Sequence, residues 1–165
     1  MNPRSTDMPH TGDGPLTPDR LRRLPSRVLG IAAAHADQLV SAGLAAADAR
    51  KWHYAVLVAL HDLGPASQAT LSRRTGIYRS DLVAVINELT SRGLVERAPD
   101  PTDRRRNVIT MSPAGRGALD RLDALVAALQ DDLLAPLAEP EREQLVELLA
   151  RLVDHHGGRV APPAG

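Results

Sequence analysis

Apolar residues recur along this chain at helical spacing, and in one place the spacing switches to that of a strand. Residues 79–92 carry Leu82, Val85, Ile86 and Leu89 at i, i+3, i+4 and i+7, one face of a helix with 3.6 residues per turn. Just before them, Ser67 caps a short helix over residues 67–75 that holds the apolar Ala69 and Leu71. Gly76 and Ile77 fit a tight turn between the two, since glycine takes the positive φ that a helix end needs. Two helices joined by a short glycine-containing turn predict a helix-turn-helix. After Gly93 the pattern shortens. Leu94, Val95 and Arg97 form one strand, and residues 107–111, with β-branched Val108, Ile109 and Thr110, form another. The intervening Pro99-Asp100-Pro101-Thr102-Asp103 forces a turn, and Arg104, Arg105 and Arg106 follow near its tip. A basic-tipped hairpin after a helix-turn-helix is a wing.

Four further amphipathic stretches flank this centre. Residues 18–42 place Leu21, Leu24, Val28, Ile31, Leu39 and Val40 for burial, with Thr17 as cap, Pro18 in the first turn, Pro25 as a kink or delay and Gly43 as the stop. Residues 46–63 put Trp52, Val56, Ala59, Leu60 and Leu63 on one face, and Gly64-Pro65 stops the helix. Ser112-Pro113 opens a Leu-rich helix that Pro136 ends. A last helix follows Pro140, carries Leu145, Leu148, Leu149, Leu152 and Val153, and stops at Gly157-Gly158. The fold class expected is mainly α with a small β-hairpin: a winged helix-turn-helix over residues 46–111, a dimerisation helix over 16–45 and C-terminal dimerisation helices over 112–157. The Pro- and Gly-rich ends, 1–15 and 158–165, are expected to be disordered.

The run from Gly93 to Gly115, GLVERAPDPTDRRRNVITMSPAG, resembles the wing signature of MarR-type regulators. There a GLV-x-R strand, a DP-x-DRR tip and an LT-x-x-G exit follow in that order. Met111 and Ser112 stand here where Leu and Thr are usual, both mild changes. The resemblance extends over roughly residues 18–156. It implies a homodimer that binds double-stranded DNA at a pseudo-palindromic operator and acts as a repressor released by a small-molecule effector. It also marks Asp103 and Arg104, the Asp and first Arg of the run, as the functionally loaded tip residues.

Composition sharpens this in three ways. There is no Phe and no Cys, so the core must be aliphatic, and disulfides, thiol redox sensing and thiolate metal sites are excluded. No uninterrupted apolar run of about 18 residues or signal-peptide core is present, so a cytoplasmic protein without membrane association is expected. Net charge is zero, but residues 66–111 carry eight arginines against five acids and residues 112–165 five against nine. The positive excess lies in the segment whose shape fits a groove. No Gly-rich phosphate loop or nucleophile elbow appears, so the chain does not read as an enzyme, and no cofactor is expected.

On the DNA side, Tyr78, Arg79, Ser80, Asp81 and Val83 occupy the start of the second helix, where base edges are reached. Arg79 suits a guanine and Tyr78 a phosphate. Asp81 either accepts from cytosine or, the favoured reading, complements the helix dipole. Asn87, further along, meets the backbone or solvent. Ser67 and Gln68 are assigned to the same surface. Of Arg104, Arg105 and Arg106, one is expected in the minor groove and another paired with Asp103 or Asp100. The resemblance further implies a ligand cleft lined by the second long helix, for an aromatic or lipophilic acid, with Trp52, His53, Val56 and His35 as candidates. The alternative for Trp52 and His53 is a core tryptophan beside a solvent-facing histidine. Six histidines raise a metal-responsive alternative, but none of their spacings is diagnostic and no metal ligand is assigned. A winged helix used for protein contact without DNA is the remaining alternative.

Overall fold

The computed structural model describes residues 17–104 and 106–157; both predicted tails and Arg105 lie outside them. The chain divides into two compact units, residues 1–126 and 127–165. In order the elements are α1 (Asp19–Arg22), α2 (Pro25–Ala46), α3 (Lys51–Leu63), β1 (Ala66–Ser67), α4 (Gln68–Thr75), α5 (Arg79–Ser91), β2 (Val95–Pro99), β3 (Asn107–Met111), α6 (Pro113–Leu133) and α7 (Glu139–Gly157).

The first long helix differs from its expected form at both ends. It breaks before Pro25, because proline pushes the preceding residue out of the α region, and Leu24 is extended at φ −81°, ψ 111°. Pro25 then starts α2, where its missing N–H costs nothing. Pro18, not Thr17, is the cap of α1, and no side chain bonds there. Gly43 does not stop α2. The helix runs on because Leu44, 1% exposed, is its anchor in the core. It ends at Ala47 and Asp48, where Asp48 takes a positive φ of 52° and the Ala49 amide returns to the Leu44 carbonyl at 2.9 Å. That turn delays α3 to Lys51, five residues later than expected.

The buried face of α3 is also rotated from the predicted one. His53, Val56, Leu57 and Leu60 face the core, while Trp52 is 44% and Leu63 57% exposed. The reading of a core tryptophan beside an exposed histidine is therefore reversed.

The helix-turn-helix forms as its periodicity requires. Ser67 Oγ accepts from the Thr70 amide at 3.2 Å, Gly76 takes φ 71°, and Leu82, Val85, Ile86 and Leu89 are buried. Burying such side chains stabilises by about 1.5–3 kcal/mol each. The wing pairs antiparallel with Val95 opposite Met111 and Pro99 opposite Asn107. A third strand joins it: β1 pairs with β3 through Ala66 opposite Ile109, giving the order β1-β3-β2. The hairpin is thus the larger part of a three-stranded sheet, tied directly to the start of α4. Where β3 feeds α6, Gly115 packs so closely that a Cβ would lie 2.1 Å from the Leu94 carbonyl oxygen.

The second unit holds the end of α6 and α7. Arg142 donates to the Leu137 carbonyl at 3.1 Å and pairs with Asp131 at 3.0 Å, and Glu141 accepts from the Ala138 amide at 2.8 Å. No residue of α7 is buried, and Val146, Leu148, Leu152 and Val153 are exposed.

Candidate nucleic-acid interface

One face of α5 is core and the other is exposed. Arg79, Ser80, Val83 and Asn87 lie on the exposed face, and Tyr78, at the N-cap, is 64% exposed. Tyr78 makes no side-chain cap, so the amides of the first turn keep no side-chain partner from it. Asp81 is half-buried in that first turn, the position that complements the positive end of the helix dipole.

The wing tip is a closed loop. The Asp100 amide donates to the Arg106 carbonyl at 2.8 Å, and the Arg106 amide donates to the Asp103 carbonyl at 2.9 Å. Asp100 Oδ1 accepts from both the amide and the hydroxyl of Thr102, at 2.8 and 2.7 Å, and these bonds hold its carboxyl below the usual carboxylate range. Asp103 Oδ2 lies 3.5 Å from Arg106 Nε, so Arg106 pairs with Asp103. Arg104 is exposed.

Two features escaped the sequence pattern. Arg97, on β2, donates to Asn87 Oδ1 at 2.7 Å and so straps the wing to the exposed face of α5. Asn87 meets a side chain of its own chain. Between α4 and β3 lies a groove of about 550 Å³ lined by Ser67, Gln68, Thr70, Arg73, Arg106 and Asn107. It brings Ser67 and Gln68 together with an arginine of the wing, as one surface requires, and adds Arg73. Arginines beside a helix N-terminus make a site suited to phosphate.

The four ligand candidates do not converge. Val56 is fully buried in the core and offers no surface to an entering molecule. His35 is exposed on α2 and lines none of the described hollows that contain Trp52 or His53. Trp52 borders a hollow of about 330 Å³ with Ser41, Ala45, Ala49, Arg50 and Lys51. His53 is buried and faces Glu88 of α5, with Nε2 2.8 Å from Oε2, and Glu88 also pairs with Arg50. Burial lowers the His53 pKa more than the Glu88 bond raises it. The Arg50 and His53 bonds hold the Glu88 carboxyl low. On the other flank of α3, Tyr54 donates to Asp123 of α6 at 2.8 Å, and burial together with that bond pushes its pKa up to about 12.

A helix-turn-helix whose second helix is exposed along one face, backed by a sheet with an arginine-bearing hairpin, defines a winged-helix protein. A family profile described as the MarR family matches residues 43–106. A probable transcriptional regulator from Pseudomonas aeruginosa, solved as a crystal structure, superposes with a TM-score of 0.72 at 35% identity, covering 81% of this chain and 99% of that one. The chain belongs to the MarR family. A protein described as a transcriptional regulatory protein for the hcr operon of Thauera aromatica is 41% identical over 86 residues, 52% of each chain. The HTH-type transcriptional repressor NicR of Pseudomonas putida is 30% identical over 101 residues, 61% of this chain and 64% of that one. The chain spans between half and two thirds of the length of these curated relatives.

Proposed function

We propose that the chain is a sequence-specific DNA-binding transcriptional regulator that works in the cytoplasm as a homodimer on a pseudo-palindromic operator. It represses transcription there and is released by a small aromatic or lipophilic effector. The observation that carries this reading is the exposed face of α5 flanked by an arginine-bearing wing. That arrangement suits a helix in the major groove with the tip beside the adjacent minor groove.

Dimerisation accounts for the helices that the winged helix leaves over. α2 is apolar enough to reach a mean hydropathy of 1.3 over 18 residues, yet Leu44 is its only buried residue. Leu21, Leu24, Val28 and Leu29 are all exposed, as are Val146, Leu148, Leu152 and Val153 of α7. Arg27, His35 and Asp37 interrupt the run on α2, which suits a second copy of the chain better than lipid. A two-fold dimer would match half-sites about 34 Å apart. The effector is assigned to the hollow beside Trp52, whose lining is more apolar than polar. Among the described residues no group of three metal-ligating side chains forms, so the metal-responsive alternative gains no support.

The test is footprinting on the DNA flanking its own gene. Protection of two half-sites one turn apart, with affinity falling steeply as salt rises, is expected. Failure to retain any genomic duplex at low salt would refute the reading and leave a winged helix used for protein contact.

A further inference from the structure

We propose that the exposed face of α5 reads a thymine, by its 5-methyl group against Val83 and Ala84 and by its O4 oxygen through Asn87, whose hydrogen-bonding sense is set by Arg97. This rests on the proposed function, in which α5 enters the major groove, and names the base recognised there.

Three observations carry it. The first is an exposed face without charge. Beyond Arg79, the exposed residues of α5 are Ser80, Val83, Ala84, Asn87, Thr90 and Ser91. The two acids of the helix are placed elsewhere: Asp81 is half-buried in the first turn, and Glu88 is bonded to Arg50 and His53. A helix face made for solvent carries charged side chains. Here Val83, 42% exposed, and Ala84 stand side by side in its middle. The second is the fixed sense of Asn87. A guanidinium has only donors, so the Arg97 bond of 2.7 Å holds the Asn87 oxygen toward β2. The Asn87 side chain makes no other bond among the described residues, so its Nδ2 hydrogens are left for an outside acceptor. The bidentate bond to adenine, which uses the amide oxygen as well as the nitrogen, is thereby disfavoured. The third is spacing. Val83 and Asn87 are four residues apart, neighbours on a helix surface with about 5–6 Å between their Cβ atoms. An apolar spot and a donor therefore lie side by side.

Each base shows the major groove a different edge. Thymine offers a methyl group next to the O4 acceptor. Guanine offers acceptors without a methyl. Cytosine and adenine present an amino group, which would meet the Asn87 N–H hydrogens donor against donor. Thymine alone satisfies both neighbours.

The experiment recovers duplexes that the full chain prefers from a randomised library, then replaces each thymine of the recovered half-site, with the complementary base opposite. Deoxyuridine keeps O4 and lacks the methyl. 5-Methyldeoxycytidine keeps the methyl and carries an amino group in place of O4. At one thymine per half-site, deoxyuridine is expected to weaken binding about fourfold, the worth of one buried methyl. 5-Methyldeoxycytidine is expected to weaken it about tenfold or more there, because a donor facing a donor loses the bond. Val83→Ser, at an exposed position, is expected to bind thymine and deoxyuridine alike, and Val83→Ile to keep the difference. Arg97→Met frees Asn87 to turn its oxygen outward. It is expected to narrow the gap between thymine and 5-methyldeoxycytidine while leaving that between thymine and deoxyuridine intact, whereas a merely structural role would weaken all duplexes in proportion. Recovered duplexes in which every thymine accepts deoxyuridine, or a deoxyuridine penalty that persists in Val83→Ser, would overturn the inference and leave sequence-specific binding standing. Equal binding of 5-methyldeoxycytidine, or both gaps unchanged in Arg97→Met, would overturn it too. A library from which no duplex is preferred would refute the regulator, and this inference with it.

Discussion

Ser112→Ala tests how the winged helix is joined to α6. Ser112 is 6% exposed. Its Oγ donates to the Gly93 carbonyl at 2.6 Å and accepts from the Gly115 amide at 3.0 Å, while its own amide reaches the Leu94 carbonyl at 3.0 Å. One hydroxyl therefore caps α6 and ties it to the turn that ends α5. Alanine removes the cap, worth about 1 kcal/mol. It also leaves the Gly93 carbonyl without its donor in a poorly solvated place, costing about 1–2 kcal/mol more. The sum is about 2–3 kcal/mol. With a urea m-value of about 1–3 kcal/mol/M, the midpoint should fall by about 1–2 M at unchanged m. The assay is urea unfolding followed by circular dichroism, at one fixed protein concentration because the proposed association would contribute to stability. Ser112→Thr keeps the hydroxyl and should stay within about 1 kcal/mol of the parent. An alanine variant whose midpoint matches the parent would refute the role given to this hydroxyl, as would a threonine variant as unstable as the alanine.

Four other outcomes follow from the same geometry. Arg79→Ala should cost about 1–3 kcal/mol of operator affinity per half-site and relax preference at one position, read by binding to a set of single-base operator variants. Arg104→Ala should weaken binding on all sequences alike and reduce the slope of log affinity against log salt by about one unit for each phosphate the arginine had neutralised. Leu149→Asp, at a half-buried position of α7, should shift sedimentation from dimer toward monomer at micromolar concentration, since an unpaired charge is costly in an apolar interface; an unchanged dimer would place the interface elsewhere. His53 has a folded pKa below its unfolded value of about 6.5, so the unfolded chain binds more protons and stability should fall as pH drops from about 6.5 toward the folded pKa. A His53→Gln variant should lose that slope in pH-dependent denaturation, and a parent curve flat across the window would count against the effect of burial on this imidazole.

Much of the centre was legible because each signal there is local. Leu82, Val85, Ile86 and Leu89 all face one core, so the period of α5 is uninterrupted. The wing is marked by prolines and aspartates whose turn-forming roles need no tertiary partner, and Asp100 does accept from Thr102 two residues on. Ser112 reveals itself as a helix cap by its place before Pro113, whereas the close approach at Gly115 depends on the Leu94 backbone. The strand β1 was not legible, since two residues carry no periodicity and Ala66-Ser67 becomes a strand only because Ile109 and Val108 lie opposite. Nor was the true end of α2. Ala45 to Ala49 is a good helical sequence, and it is interrupted by an aspartate in a conformation that Asp tolerates better than most residues.

The misreading of Trp52 and His53 has a more instructive cause. Hydrophobicity alone places a tryptophan inside and a histidine outside, and the two adjacent positions on α3 differ by about 100° in direction. What decides between them is Glu88, which comes from α5, 35 positions along the chain, and gives the buried imidazole its hydrogen bond. No local pattern contains that partner. The same reasoning applies to Asn87. Its exposed position on α5 suggests contact with DNA or solvent, yet the Arg97 guanidinium from β2 occupies its oxygen at 2.7 Å. In both cases a polar residue on or beside α5 is claimed by a distant side chain: one ties α5 to α3, the other to the wing. The orientation of α5 is thus fixed from both sides by side-chain bonds, and substitutions at Glu88 or Arg97 would alter how that helix is presented without removing any residue of its exposed face.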